Sequence, residues 1–488
     1  MAPVPLLTRN ELTSAAASAA RVLQQWYQGD SYAASTGLYH WDDPNYSSDA
    51  GGAIPAGFVS ILGYKDAFQD TSRWWNSANA ITALTDYMLL TGDHTYLPAV
   101  DFTFNNAPNA YTENTGTVAG YSIAGGVVGF LVGGPVGFVV GLFGGGAVAA
   151  SGPARIHYTN FLNGYYDDEG WWALAWINAY DLTNDPKYLK MAATIFQDMT
   201  LGWDRACRGG LYWAKNHQDS NGNSPYKNAI ANELFMAIAA ALYLRFAKTG
   251  APPPPAPVST YLNAALDEWR WFDSSGLINQ LDLINDALNT SCRNDGQPVY
   301  TYNQGVILRA LSDLSEIESD PTYVTRAERI ADALIANDVS PDMSGVDRNG
   351  VLTEWSDLQP NQSVDHCQFK GIFVRNLAYL FVRRPNARYR AFLLKNANFA
   401  LASKNSSGQF GHRWDGPLDV ADFVRQTAAL DLLNASLRVL QHPIVLPFLE
   451  PLLLAPRGRI EPLPETLEQD RGRTLDELLL RRDGSVEF

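Results

Sequence analysis

The sequence predicts an all-α protein in which six helical hairpins close into a ring. Three observations carry that expectation. Apolar residues recur at helical spacing through most of the chain, strand-like alternation is scarce, and a short Asp-centred phrase returns three times at hairpin corners. In order, helical periodicity marks 10–27, 74–91 and 95–105, then 169–182 with 186–200 and 228–247 with 259–272. It continues through 303–318 with 321–337 and 368–382 with 386–403, and ends with 420–439. The joining loops are rich in Gly, Asn, Asp and Pro, the residues that punctuate helices. Alternation of the strand type is confined to short pieces such as GGLYWA at 209–214.

The recurring phrase reads TGDHTYL at 91–97, TNDPKYL at 183–189 and SDPTY at 319–323. Superimposing Asp93, Asp185 and Asp320 places Trp75-Asn76, Asp167-Asp168 and Tyr302-Asn303 at one equivalent position, seventeen and eighteen residues upstream. That position is the start of the first helix of a hairpin. A ring of such hairpins lines its interior with alternate helices and gathers their N-termini at one face. Polar residues there converge on a central pocket.

Three segments stand outside the repeat. Gly116–Gly152 carries no charged residue and is densely punctuated by glycine. It is long enough to cross a bilayer and has small-xxx-small spacing, whereas Pro135, the glycines and the lack of basic flanks weaken any spanning helix. It reads either as a membrane or protein contact or as a packed loop insertion. APPPPAP at 251–257 is a stiff connector on the face opposite the pocket. Residues 441–488, Pro-rich and then charged, form an appendage with no assigned chemistry. The domain expectation is therefore a catalytic unit over 1–440, the insert within it at 116–152, and the appendage at 441–488.

Composition limits the partners. Apolar residues make up 46% and charged residues 18% of 488, enough for a sizeable core, and the 13 Trp and 23 Tyr exceed what a core needs. Surplus rings often line carbohydrate sites. The net charge of -15 argues against nucleic acid and anionic membranes. Cys207, Cys292 and Cys367 allow at most one disulfide, and no Cys/His spacing points to a zinc site. Cys207 and Cys292 read as packing residues. The N-terminal stretch lacks a basic n-region and an apolar h-region, so no secretory leader is expected. A monomer is expected.

The segment GYYDDEGWW at 164–172 places three acids between two pairs of rings. Adjacent aspartates usually mean an N-cap and a solvated neighbour, and in WDDPN at 41–45, where Pro44 and Asn45 make a turn and no helix follows, a structural reading is enough. Asp167-Asp168 differs because it opens a helix, sits at the repeat-equivalent position and is flanked by aromatics, including Tyr166 and Trp171. Neighbouring side chains at a helix start diverge by roughly 100°, so two carboxyls can face one ligand from different angles. Two acids near one sugar are what glycoside hydrolysis uses. The helix N-terminus favours an ionised carboxylate, and that charge raises the proton affinity of its neighbour. Which aspartate takes which part is open on these grounds.

The stretch YYDDEGWWALAWINAYDLTNDPKYL resembles the signature of glycoside hydrolase family 76, the endo-α-1,6-mannanases. WWNSANAITALTDY at 74–87, WDRACRGGLYW at 203–213, YKNAIANELF at 226–235, YTYNQGV at 300–306 and FKGIFVRNL at 369–377 match in the same order. The resemblance covers roughly 10–437 apart from the insert. It implies an (α/α)6 barrel, a retaining mechanism with Asp167 as nucleophile and Asp168 as general acid/base, and an α-mannan poly- or oligosaccharide as substrate. It implies pocket residues at the other inner-helix starts: Trp74, Trp75 and Asn79; Asn228, Asn232 and Glu233; Tyr302, Asn303 and Gln304; Lys370 and Gly371. No metal or organic cofactor is expected. Family members are usually secreted or wall-associated, so the leaderless start and the insert put compartment and substrate in question.

Each residue also has a plain reading. Two consecutive Trp on one helix cannot both face inward, so one of Trp74 and Trp75 stacks on sugar. Glu233, in an otherwise apolar helix, needs a partner, here a sugar hydroxyl or a catalytic Asp. Asn303-Gln304 reads equally as a helix cap. Lys370 is either solvated or balances the acidic pocket, and His366 is structural. Two other functions use the same chain: transglycosylation onto wall glycans, and a glycan-binding or membrane-associating module working through the insert.

Overall fold

A computed structural model describes residues 7–27, 37–39, 74–108, 112–115, 154–248, 251–296, 298–359 and 363–442. The Gly116–Gly152 insert, Asp42-Asp43 and the appendage beyond 442 lie outside the described residues.

Among the described residues, twelve α-helices follow the predicted order: α1 (Arg9–Leu23), α2 (Trp74–Thr91), α3 (Leu97–Asn106), α4 (Tyr166–Thr183), α5 (Pro186–Met199) and α6 (Ala229–Phe246). The second half adds α7 (Val258–Ser275), α8 (Thr301–Glu318), α9 (Pro321–Ala336), α10 (His366–Arg383), α11 (Ala387–Ser403) and α12 (Phe423–Gln441). Each even-numbered helix packs on the next even one, and α12 returns to α2, so the inner ring closes. The odd helices lie outside it. α1 packs on α12, and the first and last helices thereby complete the sixth pair. The fold is all-α, an (α/α)6 barrel.

Burial follows from that placement. An inner helix has neighbours on every side, and α6 is accordingly buried along nearly its whole length. An outer helix has one covered stripe, as in α5 with Tyr188, Leu189, Ala192, Ile195, Phe196 and Met199. The repeated aspartates have a local cause. Asn184 and Ser319 end α4 and α8 in the left-handed region. Asp185 and Asp320 then cap α5 and α9, accepting from the amides of Lys187 at 3.0 Å and Thr322 at 2.9 Å, with proline at the first helical position. Asp93 instead accepts from the Thr95 amide at 3.1 Å ahead of α3.

Short ribbons hold the loops. β1 (Thr112–Thr115) pairs antiparallel with β2 (Ala154–His157), so the ends of the segment that contains the insert are clamped together just ahead of α4. β3 (Lys227–Asn228) pairs with β4 (Ala287–Leu288), joining the loops that precede α6 and α8. β5 (Gly345–Val346) pairs with β6 (Leu352–Thr353) before α10. The 209–214 piece is no strand: Leu211 and Ala214 make isolated bridges to Trp203 and Tyr165.

Cys207 and Cys292 are not separate packing residues. They form a disulfide with Cα atoms 5.1 Å apart across 85 residues of sequence, while Cys367 is free and buried. Beside it, buried Lys227 donates to Asp204 at 2.7 Å and to the carbonyls of Ala206, Gly209 and Gly210. The loop ahead of Leu211 is thus fixed by both a covalent bond and a cation.

Candidate active site

The starts of the inner helices, with the loops that return over them, enclose a cavity of about 890 Å³. Its aromatic wall comes from four of them: Trp75 from α2, Trp171 from α4, Tyr302 from α8 and Phe369 from α10. These rings form a closed circuit. Trp75 lies 5.8 Å from Trp171, Trp171 6.5 Å from Tyr302, Tyr302 3.8 Å and parallel to Phe369, and Phe369 6.1 Å from Trp75. Flat apolar faces beside hydroxyl acceptors suit a sugar ring.

The two tryptophan pairs divide identically, because consecutive positions on a helix diverge. Trp75 and Trp171 line the cavity, whereas Trp74 and Trp172 meet at 5.2 Å in the core beside Phe161. Trp74 is therefore removed from the pocket residues.

Asp167 and Asp168 both line the cavity from the first turn of α4. Half-buried Asp167 is strongly held: Trp213 Nε1 donates to its Oδ2 at 2.9 Å, and the Asp168 amide to its Oδ1 at 3.0 Å. Burial pushes its pKa up to about 7, opposed by the Asp168 amide, Trp213 and the Asn228 side chain. Asp168 is raised well above the usual carboxylate range, first by burial and then by the charge of Asp167. One donor opposes this: Asn163 Nδ2 reaches Asp168 Oδ2 at 2.6 Å. The pair is unequal, Asp168 having the higher proton affinity.

Asn163 is itself locked. Its amide donates to Glu169 Oε1 at 2.9 Å, and its side-chain oxygen accepts from the Tyr165 amide at 2.8 Å. Glu169 is buried and paired with Lys215 at 2.6 Å, and Lys215 also meets Asp198 at 2.8 Å. The third acid of the motif thus faces away from the cavity and braces the second.

Asn228 lines the cavity as the cap of α6, accepting from the Ala231 amide at 3.3 Å. The remaining predicted residues do not line it. Tyr166 packs over Gly202. Asn79 lies deeper in the barrel, accepting from Arg375 at 2.6 Å. Asn232 pins the preceding loop, accepting from the Leu211 amide at 2.5 Å and donating to the Leu211 carbonyl at 3.1 Å. Gln304 does the same to Ile284, at 2.8 Å in both directions. Asn303 is buried and donates to Asp286 at 3.4 Å. Glu233 is fully buried in the ring, its pKa raised well above the carboxylate range by burial, and contacts neither cavity nor aspartate pair. Lys370 is buried in an ion pair with Asp357 and donates to the His412 carbonyl at 2.6 Å. Gly371 permits close approach, since a Cβ there would lie 2.6 Å from the Ala428 Cα. Helical rotation, not depth alone, divides them: Asp167, Asp168 and Trp171 of α4 reach the cavity, whereas Tyr166, Asn303 and Gln304, in the first turns of α4 and α8, turn to neighbouring helices or loops.

Other wall residues come from loops. Tyr226, Asp286 and Asp295 also line the cavity, with Tyr226 edge-on to Trp213 at 5.8 Å and donating to Asp286 at 3.3 Å. Burial, and then Asp295, push Asp286 up to about 6. His366 also lines the cavity rather than serving the core alone, and burial among Tyr300, Trp355 and Phe369 lowers it to about 4, so it is neutral. Trp213 and Tyr226 lie inside the quoted motifs, but nothing in the spacing says that their rings turn back to α4. Asn163 left no comparable signal.

The description Glycosyl hydrolase family 76 matches residues 152–445, more than half of the chain. The chain belongs to glycosyl hydrolase family 76. Among curated relatives, mannan endo-1,6-alpha-mannosidase DCW1 of Saccharomyces cerevisiae is 25% identical over an alignment of 299 residues that covers 57% of this chain and 61% of that protein. The chain thus spans about three-fifths of the length of the curated relatives it matches. Among solved family 76 structures, the GH76A alpha-1,6-mannanase of Salegentibacter sp. HEL1_6 superimposes with a TM-score of 0.60 at 18% identity, covering 87% of this chain and 98% of that one. An inactive variant of it, with two adjacent aspartates changed to asparagine, was solved with alpha-1,6-mannotriose at the same TM-score and identity, covering 88% and 99%. The likeness covers nearly the whole described chain, so the helices ahead of residue 152 belong to the family barrel.

Proposed function

We propose that this chain is a retaining glycoside hydrolase that cleaves α-1,6-mannosidic linkages. One observation carries the reading: two adjacent carboxyls of unequal proton affinity share an aromatic-walled cavity in a family 76 barrel. Asp167, ionised and held by Trp213 and the Asp168 amide, attacks the anomeric carbon. Asp168, protonated, gives its proton to the glycosidic oxygen as that bond breaks. The glycosyl–Asp167 ester is then opened by water, whose proton Asp168 takes back. Two inversions at one carbon leave its configuration unchanged. The relatives named for endo-1,6-alpha-mannosidase activity and the neighbour solved with alpha-1,6-mannotriose support this choice of linkage. Trp75, Trp171, Tyr302 and Asn228 supply sugar contacts in this reading. The catalytic unit is 1–440, with 116–152 and 441–488 as additions.

The test is product analysis by mass spectrometry on unbranched α-1,6-mannan. Wild type is expected to release shortened manno-oligosaccharides. Asp167→Asn and Asp168→Asn are each expected to lose about 10³-fold or more while melting normally. Full release by both variants overturns the assignment. An added glycan acceptor separates hydrolysis from transfer, since only a transglycosylase lengthens the acceptor.

A further inference from the structure

A second, smaller cavity of about 80 Å³ lies farther along the inner helices. All six contribute to its wall, and four of the wall residues are arginines: Arg245, Arg309, Arg375 and Arg438. Arg245 and Arg438 sit in the last turns of α6 and α12, where a cation offsets the helix dipole. That account does not extend to Arg309 and Arg375, which lie midway along α8 and α10 inside the ring. A buried guanidinium needs partners.

Three carboxylates of this layer are paired with arginines, and a fourth, Asp313, is held through Oδ1 while its Oδ2 has no partner among the described residues. Arg438 donates to Asp86 at 3.1 Å, Arg245 Nε to Asp181 at 3.0 Å, Arg375 to Asp431 at 3.2 Å, and the Tyr379 hydroxyl to Asp313 at 2.6 Å. Arg309, only 6% exposed, forms no ion pair among the described residues, although Asp313 feels its charge. Both its terminal nitrogens share one acceptor, Asn178 Oδ1, each at 3.4 Å, and its Nε has no partner among the described residues. The Tyr379 ring covers it at 5.2 Å.

We propose that this cavity binds one small oxyanion of the phosphate or sulfate class, with Arg309 as its principal ligand. A guanidinium presents its donors as a planar fork that matches two oxygens of such an ion. Three of the four wall arginines already have an aspartate each, which leaves Arg309 as the wall cation with unfilled donors among the described residues. The cavity volume exceeds the roughly 10–15 Å³ that one water needs, so an ion can enter. The site is separate from the upper cavity. Arg309 follows Tyr302 by seven residues, about 10 Å along α8 at 1.5 Å per residue. Because all six inner helices touch it, occupancy registers as stability of the barrel.

The test follows thermal unfolding of the full chain during titration with sodium phosphate and, separately, sodium sulfate, with chloride holding ionic strength constant. Wild type is expected to show a saturable rise of several degrees with each oxyanion. Ions excluded from the surface also stabilise proteins, but without saturation and without dependence on one arginine. Arg309→Met is expected to abolish the saturable part. Arg309→Lys keeps the charge, loses the fork and is expected to weaken half-saturation by about fivefold or more, a readout that remains if the Met variant does not fold. A rise in wild type that never saturates overturns the proposal. Half-saturation unchanged in Arg309→Lys overturns it too.

Discussion

Asn163 sets the working range of the acid pair without lining the cavity itself. Its donation to Asp168 is the contact that favours the ionised form of that carboxyl, against burial and the Asp167 charge. In the proposed mechanism, activity needs Asp167 ionised and Asp168 protonated. The rate of kcat/KM therefore falls below the upper pKa range of Asp167, about 7, and falls again above that of Asp168. The acid limb is expected near neutrality rather than near the ordinary aspartate value of about 4. Asn163→Ala removes the opposing donor, so Asp168 holds its proton more tightly and the alkaline limb moves up. The acid also loses its orientation, and kcat is expected to drop about 10- to 100-fold with little change in KM. A pH profile of the variant that overlays wild type removes Asn163 from this role. Nothing in its sequence context announced it, because it acts from the loop before the motif rather than from the repeat position.

At the scale of elements, inner helices carry amides one turn in, and these hold the incoming loops. Asn232 and Gln304 each pair with both the amide and the carbonyl of one loop residue, Leu211 and Ile284. The family resemblance implies both as pocket residues, and Asn303-Gln304 reads equally as a helix cap. Their direction was not readable, because it depends on a loop that returns from the preceding outer helix. Asn232→Ala orphans two buried backbone groups, at about 1–3 kcal/mol each. The urea midpoint is expected to fall, and activity with it, since the same loop presents Trp213 to Asp167. Loss of stability with full activity would uncouple loop and catalysis. Lys370 and Gly371 went the same way: the sequence marked special residues, and packing against Asp357 and Ala428 decided what was special about them.

For the whole molecule, the disulfide and the buried acids govern stability. Cys207–Cys292 closes a loop of 85 residues between the segments ahead of α6 and α8. Cys292→Ser is expected to cost about 2–5 kcal/mol, read as a lower melting temperature in oxidising buffer. Equal melting of the oxidised and reduced wild type would leave the bond without that role. Burial raises Glu268 to about 8, Glu354 to about 7, and Asp286 to about 6. Unfolded, such groups titrate near 4. The folded chain thus binds more protons across this window, and the stability they contribute is fully present below about 4 and lost as pH rises through about 6–8. The melting temperature is expected to fall between pH 5 and pH 8. A rise over that interval contradicts the buried neutral acids.

What the sequence determined by itself is periodic: twelve amphipathic or wholly apolar helices, the Asp–Pro corners that end one and start the next, and the acid pair at a recurring helix start. Those follow from local spacing, capping and turn chemistry, which are encoded within a few residues. Tertiary structure alone decided which of two neighbouring tryptophans faces the cavity, that Glu169 braces Asp168 through Asn163, and that Cys207 finds Cys292. Each of these joins atoms distant in the chain or separated by a helical rotation of about 100°, and only closure of the ring fixes which way a side chain points.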